Sequence, residues 1–227
     1  ICRYLRSYDI LNGFGQLNSR YNQTIIRFQC NVDLHHLTLN QYLRWYSHLL
    51  PYTTRSIQNL VLSNWNSPGQ IQLFNQSIKN YNSLYQLLPY IKQLRLIDFS
   101  NDDVDILPKL AMIDKILIDT DALKPLRYST KLLLDHYLFC SSFSFKEIRL
   151  WIGNGGISLQ QNITSIINPY LEQLTIIVTQ LNDLILIFKR SPNLVKLYVE
   201  LSEVSSNQSQ PQNLRWLYPD HLDRQTR

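Results

Sequence analysis

Five histidines, a cluster of carboxylates, a glycine-rich stretch and three cysteines are the residues of this 227-residue chain that could do chemistry. His35 and His36 are adjacent, so on a helix or strand they point to different sides and do not form a spaced pair of metal ligands. His48, His136 and His221 are isolated. Asp102, Asp103 and Asp105 could suggest a cation site, but the Gly and distal Glu of a calcium loop do not follow them. They read as a solvated loop or a helix N-terminus. Gly153-Asn154-Gly155-Gly156 lacks the Lys-Ser/Thr ending of a phosphate loop and reads as a turn after a strand. No G-x-S-x-G elbow, Walker loop or H-E-x-x-H helix occurs. Cys2, Cys30 and Cys140 are too scattered for a disulfide framework, and an odd number suits a reducing compartment. The expectation is a chain with no catalytic residue, no metal and no cofactor.

Composition points the same way. At 44% hydrophobic and 17% charged, the chain can build a core. Its longest wholly apolar run, Leu184 to Phe188, is far short of the roughly 20 residues that span a bilayer. The net charge of +5 is spread thinly, which predicts neither a nucleic-acid face nor a membrane surface. Sequons start at Asn22, Asn75, Asn162 and Asn207, about as many as chance gives in an Asn- and Ser-rich chain. Residue 1 is Ile rather than Met, which reads as a fragment or a trimmed chain.

The elements that would position a functional surface come out of spacing. Apolar-x-x-apolar-x-apolar recurs six times: Ile57/Leu60/Leu62, Ile91/Leu94/Leu96, Ile113/Ile116/Ile118, Phe145/Ile148/Leu150, Leu171/Leu174/Ile176 and Leu194/Leu197/Val199. Successive starts lie 34, 22, 32, 26 and 23 residues apart, within reach of a leucine-rich repeat with two enlarged units. The last two apolar positions of each unit alternate with polar residues, as in a strand with one buried face. Helical stripes lie between them: Ile71/Phe74/Ile78/Tyr81, Leu133/Tyr137/Cys140, Ile163/Ile166/Ile167/Tyr170 and Leu181/Leu184/Ile185/Phe188. Ser191-Pro192-Asn193 ends the last of these helices. The predicted fold is α/β, a leucine-rich-repeat-like solenoid of short parallel strands with outer helices. A doubly wound α/β sheet is the alternative, disfavoured because the strands are short and half-polar. The usual turn Asn or Cys is replaced by Trp65, Phe99, Asp121, Gly153, Thr179 and Ser202, with Asn64, Asp98 and Asn154 one residue away. That predicts a shifted turn chemistry.

Residues beside the inward apolar positions would form the concave face of such a solenoid. Arg95, Ile97, Arg149, Trp151, Thr175 and Tyr198 are the target-binding candidates, since Arg, Trp and Tyr are enriched at interface hot spots.

Residues 1–28 read as short helices, with Asp9 placed to cap the second and Gly13 and Gly15 weakening it. The stretch ICRYLRSYDILNGFGQLNSRYNQTI resembles an F-box, with Ile1, Tyr4, Leu5, Asp9, Ile10, Leu11, Leu17, Asn18 and Tyr21 in the family's motif places. The family's opening Leu-Pro-x-Glu segment would precede Ile1. Taken with the repeats, the chain is similar to F-box proteins of the leucine-rich-repeat type. The resemblance implies a substrate-recruiting subunit of a cullin-RING (SCF-type) ubiquitin ligase. Its Skp-type adaptor would be met by Ile1, Tyr4, Leu5, Ile10, Leu11, Phe14, Leu17 and Tyr21, its repeats would hold a protein target, and its location would be cytoplasmic or else nuclear. The organisation expected is a partial F-box-like segment over 1–28, a linking or capping segment over 29–55, the solenoid over 56–201, and a polar linker and tail over 202–227. A repeat scaffold unrelated to ubiquitin, with residues 1–28 acting only as a cap, and an α/β enzyme of unrecognised type are the rivals.

Overall fold

The computed structural model describes Asp9, Ile10, Gly13 and residues 30–202, apart from 80, 82, 122, 140, 141, 154, 161–166 and the side chain of Tyr52. Seven parallel strands form one sheet in strict chain order: β1 Asn31–Asp33, β2 Asn59–Ser63, β3 Gln93–Ile97, β4 Lys115–Asp119, β5 Glu147–Trp151, β6 Gln173–Val178 and β7 Lys196–Leu201. Each strand pairs with the next at equivalent positions, Asn59 with Gln93, Gln93 with Lys115, Lys115 with Glu147, Glu147 with Gln173, and Gln173 with Lys196. These are the intervals of the sequence pattern. The strand order never reverses, so there is none of the switch point that defines a doubly wound sheet. The chain is α/β, and its all-parallel sheet is compatible with a solenoid-like arrangement.

The sheet begins one rung earlier than the pattern predicts. Asn31 pairs with Asn59 and Val32 with Leu60, inside the segment expected only to link or cap. Gln29 occupies the place of the first apolar residue there, which hides the unit from a periodicity search.

Core-facing side chains form two ladders across the strands, one through Leu60, Leu94, Ile116, Ile148 and Leu174, the other through Leu62, Leu96, Ile118, Leu150 and Ile176. All are buried, in one cluster with side chains from the intervening helices. Among residues 30–202 the α-helices described are α1 Leu39–Arg44, α2 Leu50–Thr53, α3 Gln70–Ser77, α4 Leu84–Leu87, α5 Tyr128–Phe139 and α6 Asn182–Arg190. A π-helical turn, Trp45–Leu49, joins α1 to α2, and a 3₁₀ segment, Asn101–Lys109, joins β3 to β4. Thr38 caps α1 through its capping box with Gln41.

Three of the helical stripes are corrected. Of the Ile71/Phe74/Ile78/Tyr81 stripe the first three are fully buried, as the spacing predicts, while Tyr81 lies beyond the end of α3 and is exposed; α6 ends at Arg190 before Ser191. On α5, however, the inward face is Thr130, Leu134, Asp135 and Leu138, with Leu133 exposed; Cys140 lies outside the described residues. On α6 it is Asp183, Ile187 and Arg190, and the predicted stripe residues Leu181, Ile185 and Phe188 are exposed. The physical reason is one buried ion pair. Arg190 Nη1 lies 2.5 Å from Asp135 Oδ1, with both side chains almost wholly out of solvent. Burial pushes the Asp135 carboxyl above the usual carboxylate range, against the pull of the Arg190 charge and the Gln160 N–H. Ile167 and Tyr170 are likewise not helical but exposed in an extended turn, while Ile163 and Ile166 lie outside the described residues. Asn168 takes the buried place between them and donates its amide to the Leu138 carbonyl.

Candidate functional site

The sheet face away from the helices carries three rows of side chains. One runs Asn59, Gln93, Lys115, Glu147, Gln173 and Lys196; the next Val61, Arg95, Leu117, Arg149, Thr175 and Tyr198; the third Ser63, Ile97, Asp119 and Trp151. Alternation places them there, since residues two apart in a strand share a face. The register brings all six target-binding candidates onto this face, and Arg95, Arg149, Trp151, Thr175 and Tyr198 are half-buried or exposed there.

Ile97 is the exception. It is only 6% exposed, so it offers a partner almost no contact area. Its row neighbours are Ser63, which is buried, and Asp119. Arg95, two residues before it, reaches diagonally to Asp119, with Nε and Nη2 donating to Oδ2 at 3.0 and 2.9 Å. Arg95 is thereby already engaged, and its ion pair runs from one flank of Ile97 to the other.

The charges next along the face form a second group. Glu147 Oε1 accepts from Arg149 Nε at 2.7 Å and lies 3.0 Å from Lys115 Nζ. Two cations share one carboxylate, leaving a local positive excess beside Trp151, whose side chain is exposed at 42%. With Leu117 and Thr175 half-buried and Tyr198 exposed, the face from β4 to β7 is a band of apolar and aromatic groups edged by Arg149.

His35 belongs to the face too, which the spacing does not predict. Its ring Nδ1 lies 2.9 Å from Ser63 Oγ and its ring centroid 4.3 Å from that of His36. Burial first, then the neighbouring His36, lowers the His35 pKa from 6.5. The missing signal is the unrecognised first rung, which carries His35 to the sheet edge.

The turns show why the expected Asn or Cys position is displaced. Asn64, one residue early, is buried; its Nδ2 donates to the Asp98 carbonyl and to Asp103 Oδ2, and its Oδ1 accepts the Ile71 N–H. Asp103 is not solvated. It is buried, accepts the Ser100 N–H at 2.8 Å and the Ser100 hydroxyl at 2.7 Å, and caps the 3₁₀ segment, while Asp102 and Asp105 stay exposed. Gly155 and Gly156 turn the chain after β5 with φ of 72° and 50°, and Ile157 then bridges Val178.

Beside these turns lies an open cleft of about 490 Å³, lined by Trp65, Gln72, Asp98, Phe99, Asp102, Asp121 and Lys124, among others. Burial raises the Asp98 carboxyl. Ser100, which also lines it, spends its hydroxyl on Asp103 and has no histidine partner there. Among the described residues no group of three His, Cys, Asp or Glu side chains could hold a metal ion, and no helix is long and apolar enough to cross a membrane.

Of the adaptor-binding candidates, Ile1, Tyr4, Leu5, Leu11, Phe14, Leu17 and Tyr21 lie outside the described residues. Ile10 is fully buried within the chain's own core. Asp9 and Gly13 are exposed and helical, so Asp9 sits inside the helix it was expected to cap.

Comparison of the chain with protein-family models, with curated proteins and with solved structures found no match.

Proposed function

We propose that the chain is a non-catalytic recognition subunit of the F-box, leucine-rich-repeat type that brings a protein target to a cullin-RING ubiquitin ligase. The observation that carries the recognition half is the seven-rung ladder with one face packed on helices and the other left open. Such a face is the extended surface that stacked repeats offer to partners. Its band of Leu117, Arg149, Trp151, Thr175 and Tyr198 suits a target segment with an apolar anchor and a nearby acidic side chain, because the free cationic capacity beside Glu147 is positive. The adaptor half is supported by the resemblance of residues 1–28 to an F-box.

Titration of the full chain with a purified Skp-type adaptor tests the ligase role. Binding is expected, weakened by Tyr4→Ala with Leu5→Ala; no association rejects it. The burial of Ile10 in the chain's own core favours a second reading, a repeat scaffold in which residues 1–28 only cap the first rung. That protein would hold its target through the same face and ignore the adaptor.

A further inference from the structure

The last rung ends in an unfinished surface. Leu197 and Val199 on β7 occupy core positions, yet they are only half-buried where Leu174 and Ile176 beside them are fully buried. Ile185 and Phe188 on α6, with Leu181 at its N-cap, are exposed on the side opposite Asp183, Ile187 and Arg190, the side chains that face the preceding unit. Val195 and Tyr198 are 77% and 65% exposed. Among the described residues β7 pairs with β6 alone, so its other edge is open.

The backbone of that edge is self-complementary. Lys196 N–H donates to the Glu172 carbonyl and Ser202 N–H to that of Val178, so even-numbered residues spend their backbone groups on β6. Alternation then turns the N–H and C=O of Leu197 and Val199 toward the open edge. An antiparallel strand can take up these groups only where outward residues meet outward residues. Centring the pairing on Tyr198 satisfies this, setting Leu197 of one copy against Val199 of the other. It also sets Lys196 opposite Glu200 twice, Tyr198 opposite itself, and Val195 opposite Leu201. Shifting the centre by one residue either way keeps the backbone match but loses both ion pairs. Charged edge residues ordinarily keep strands apart; here their signs are mirror-related about Tyr198.

We propose that a second copy of this chain occupies the edge, pairing β7 with β7 antiparallel about a two-fold axis at Tyr198. The result is one continuous fourteen-stranded sheet with the two recognition faces side by side. The proposal goes beyond the recruiting role and stands whether or not an adaptor binds.

Sedimentation equilibrium of the full chain, 26.8 kDa as a monomer, gives the first test, with a dimer expected. Glu200→Lys and Lys196→Glu each replace two ion pairs by two like-charge contacts, weakening association on the order of tenfold or more. The two changes together re-form the pairs with their signs exchanged and restore the dimer. As an independent check, Tyr198→Cys places two thiols in a non-hydrogen-bonded pair with Cα atoms about 4.5 Å apart, within disulfide range, and oxidation gives a covalent dimer. Val195→Cys, whose copies would sit roughly 20 Å apart, does not cross-link above the parent chain's own background. A monomer at high-micromolar concentration overturns the proposal, whether residues 203–227 or a different protein covers the edge. So does a dimer indifferent to the single reversals, or one the double reversal does not rescue.

Discussion

Asp135→Asn isolates the contact that ties the last helix to the unit before it. The substitution keeps the side chain's shape but leaves the buried Arg190 guanidinium without its paired carboxylate; among the described residues it still meets the Gln160 carbonyl and the Phe139 ring, 5.9 Å away. Breaking one side of a buried pair typically costs 3–5 kcal/mol, and the amide oxygen that remains sets the expectation at about 3 kcal/mol. For a chain of this size that lowers Tm by roughly 6–12 °C. Arg190→Met should cost a similar amount. The combined Asp135→Leu, Arg190→Met variant removes both charges and strands only the Gln160 N–H and C=O, which the pair had served, for a cost of about 2 kcal/mol. The double change is therefore much cheaper than the sum of the singles. Urea unfolding followed by far-UV circular dichroism and tryptophan fluorescence measures all three, with coincident transitions checking two-state behaviour. Single variants within about 1 kcal/mol of the parent, or strictly additive costs, would show that the pair is not what seats α6, because neighbours in one network must couple.

Gly156→Ala introduces a Cβ 2.8 Å from the Ile177 carbonyl oxygen at φ 50°, and should destabilise by about 2 kcal/mol in the same assay. Asn64→Ala leaves the Ile71 N–H and one side of Asp103 without their partner and should cost about 2 kcal/mol, read from the urea midpoint. His35 titrates below 6.5 in the folded chain, so the unfolded chain takes the proton first. Its contribution is intact above about pH 7 and is lost as pH falls through 6.5 toward the lower folded value; His35→Gln should flatten the stability profile below about pH 7. Trp151→Ala should cost less than about 1 kcal/mol in the urea assay, since Trp151 is 42% exposed and lies outside the buried core cluster, and should weaken binding of any target held by this face.

The strands were legible because a half-buried strand in a one-sided sheet must alternate, and six of the seven do so behind an apolar residue at the same opening position. The helices were legible as helices but not as faces. Hydrophobic periodicity assumes that the inward side is the apolar one, and on α5 and α6 the inward sides include Asp135, Asp183 and Arg190. Asp183 is held there by the Leu159 and Gln180 N–H groups, and Asp135 by Arg190. A charge buried with its partners moves the apparent stripe round the helix by about half a turn. No count of apolar residues reveals this, because the partner of Asp135 is 55 residues away.

The sheet face away from the helices divides in the same manner. Alternation alone nominates Arg95, Ile97, Arg149, Trp151, Thr175 and Tyr198, but which of them are free to meet a partner is decided by cross-strand neighbours at intervals of 22 to 34 residues. Arg95 and Arg149 are the same residue type in the same row, two strands apart, yet the register gives Arg95 a diagonal carboxylate at Asp119 while Arg149 shares Glu147 with Lys115. One arginine is thus spent within its own chain, and its ion pair flanks the isoleucine beside it. The other sits among two cations and one anion, next to an exposed tryptophan. Exchanging their environments, by Asp119→Asn to release Arg95 or Lys115→Met to commit Arg149 to Glu147, should move the positive excess along the face without altering the fold. A target that reads charge there should follow it.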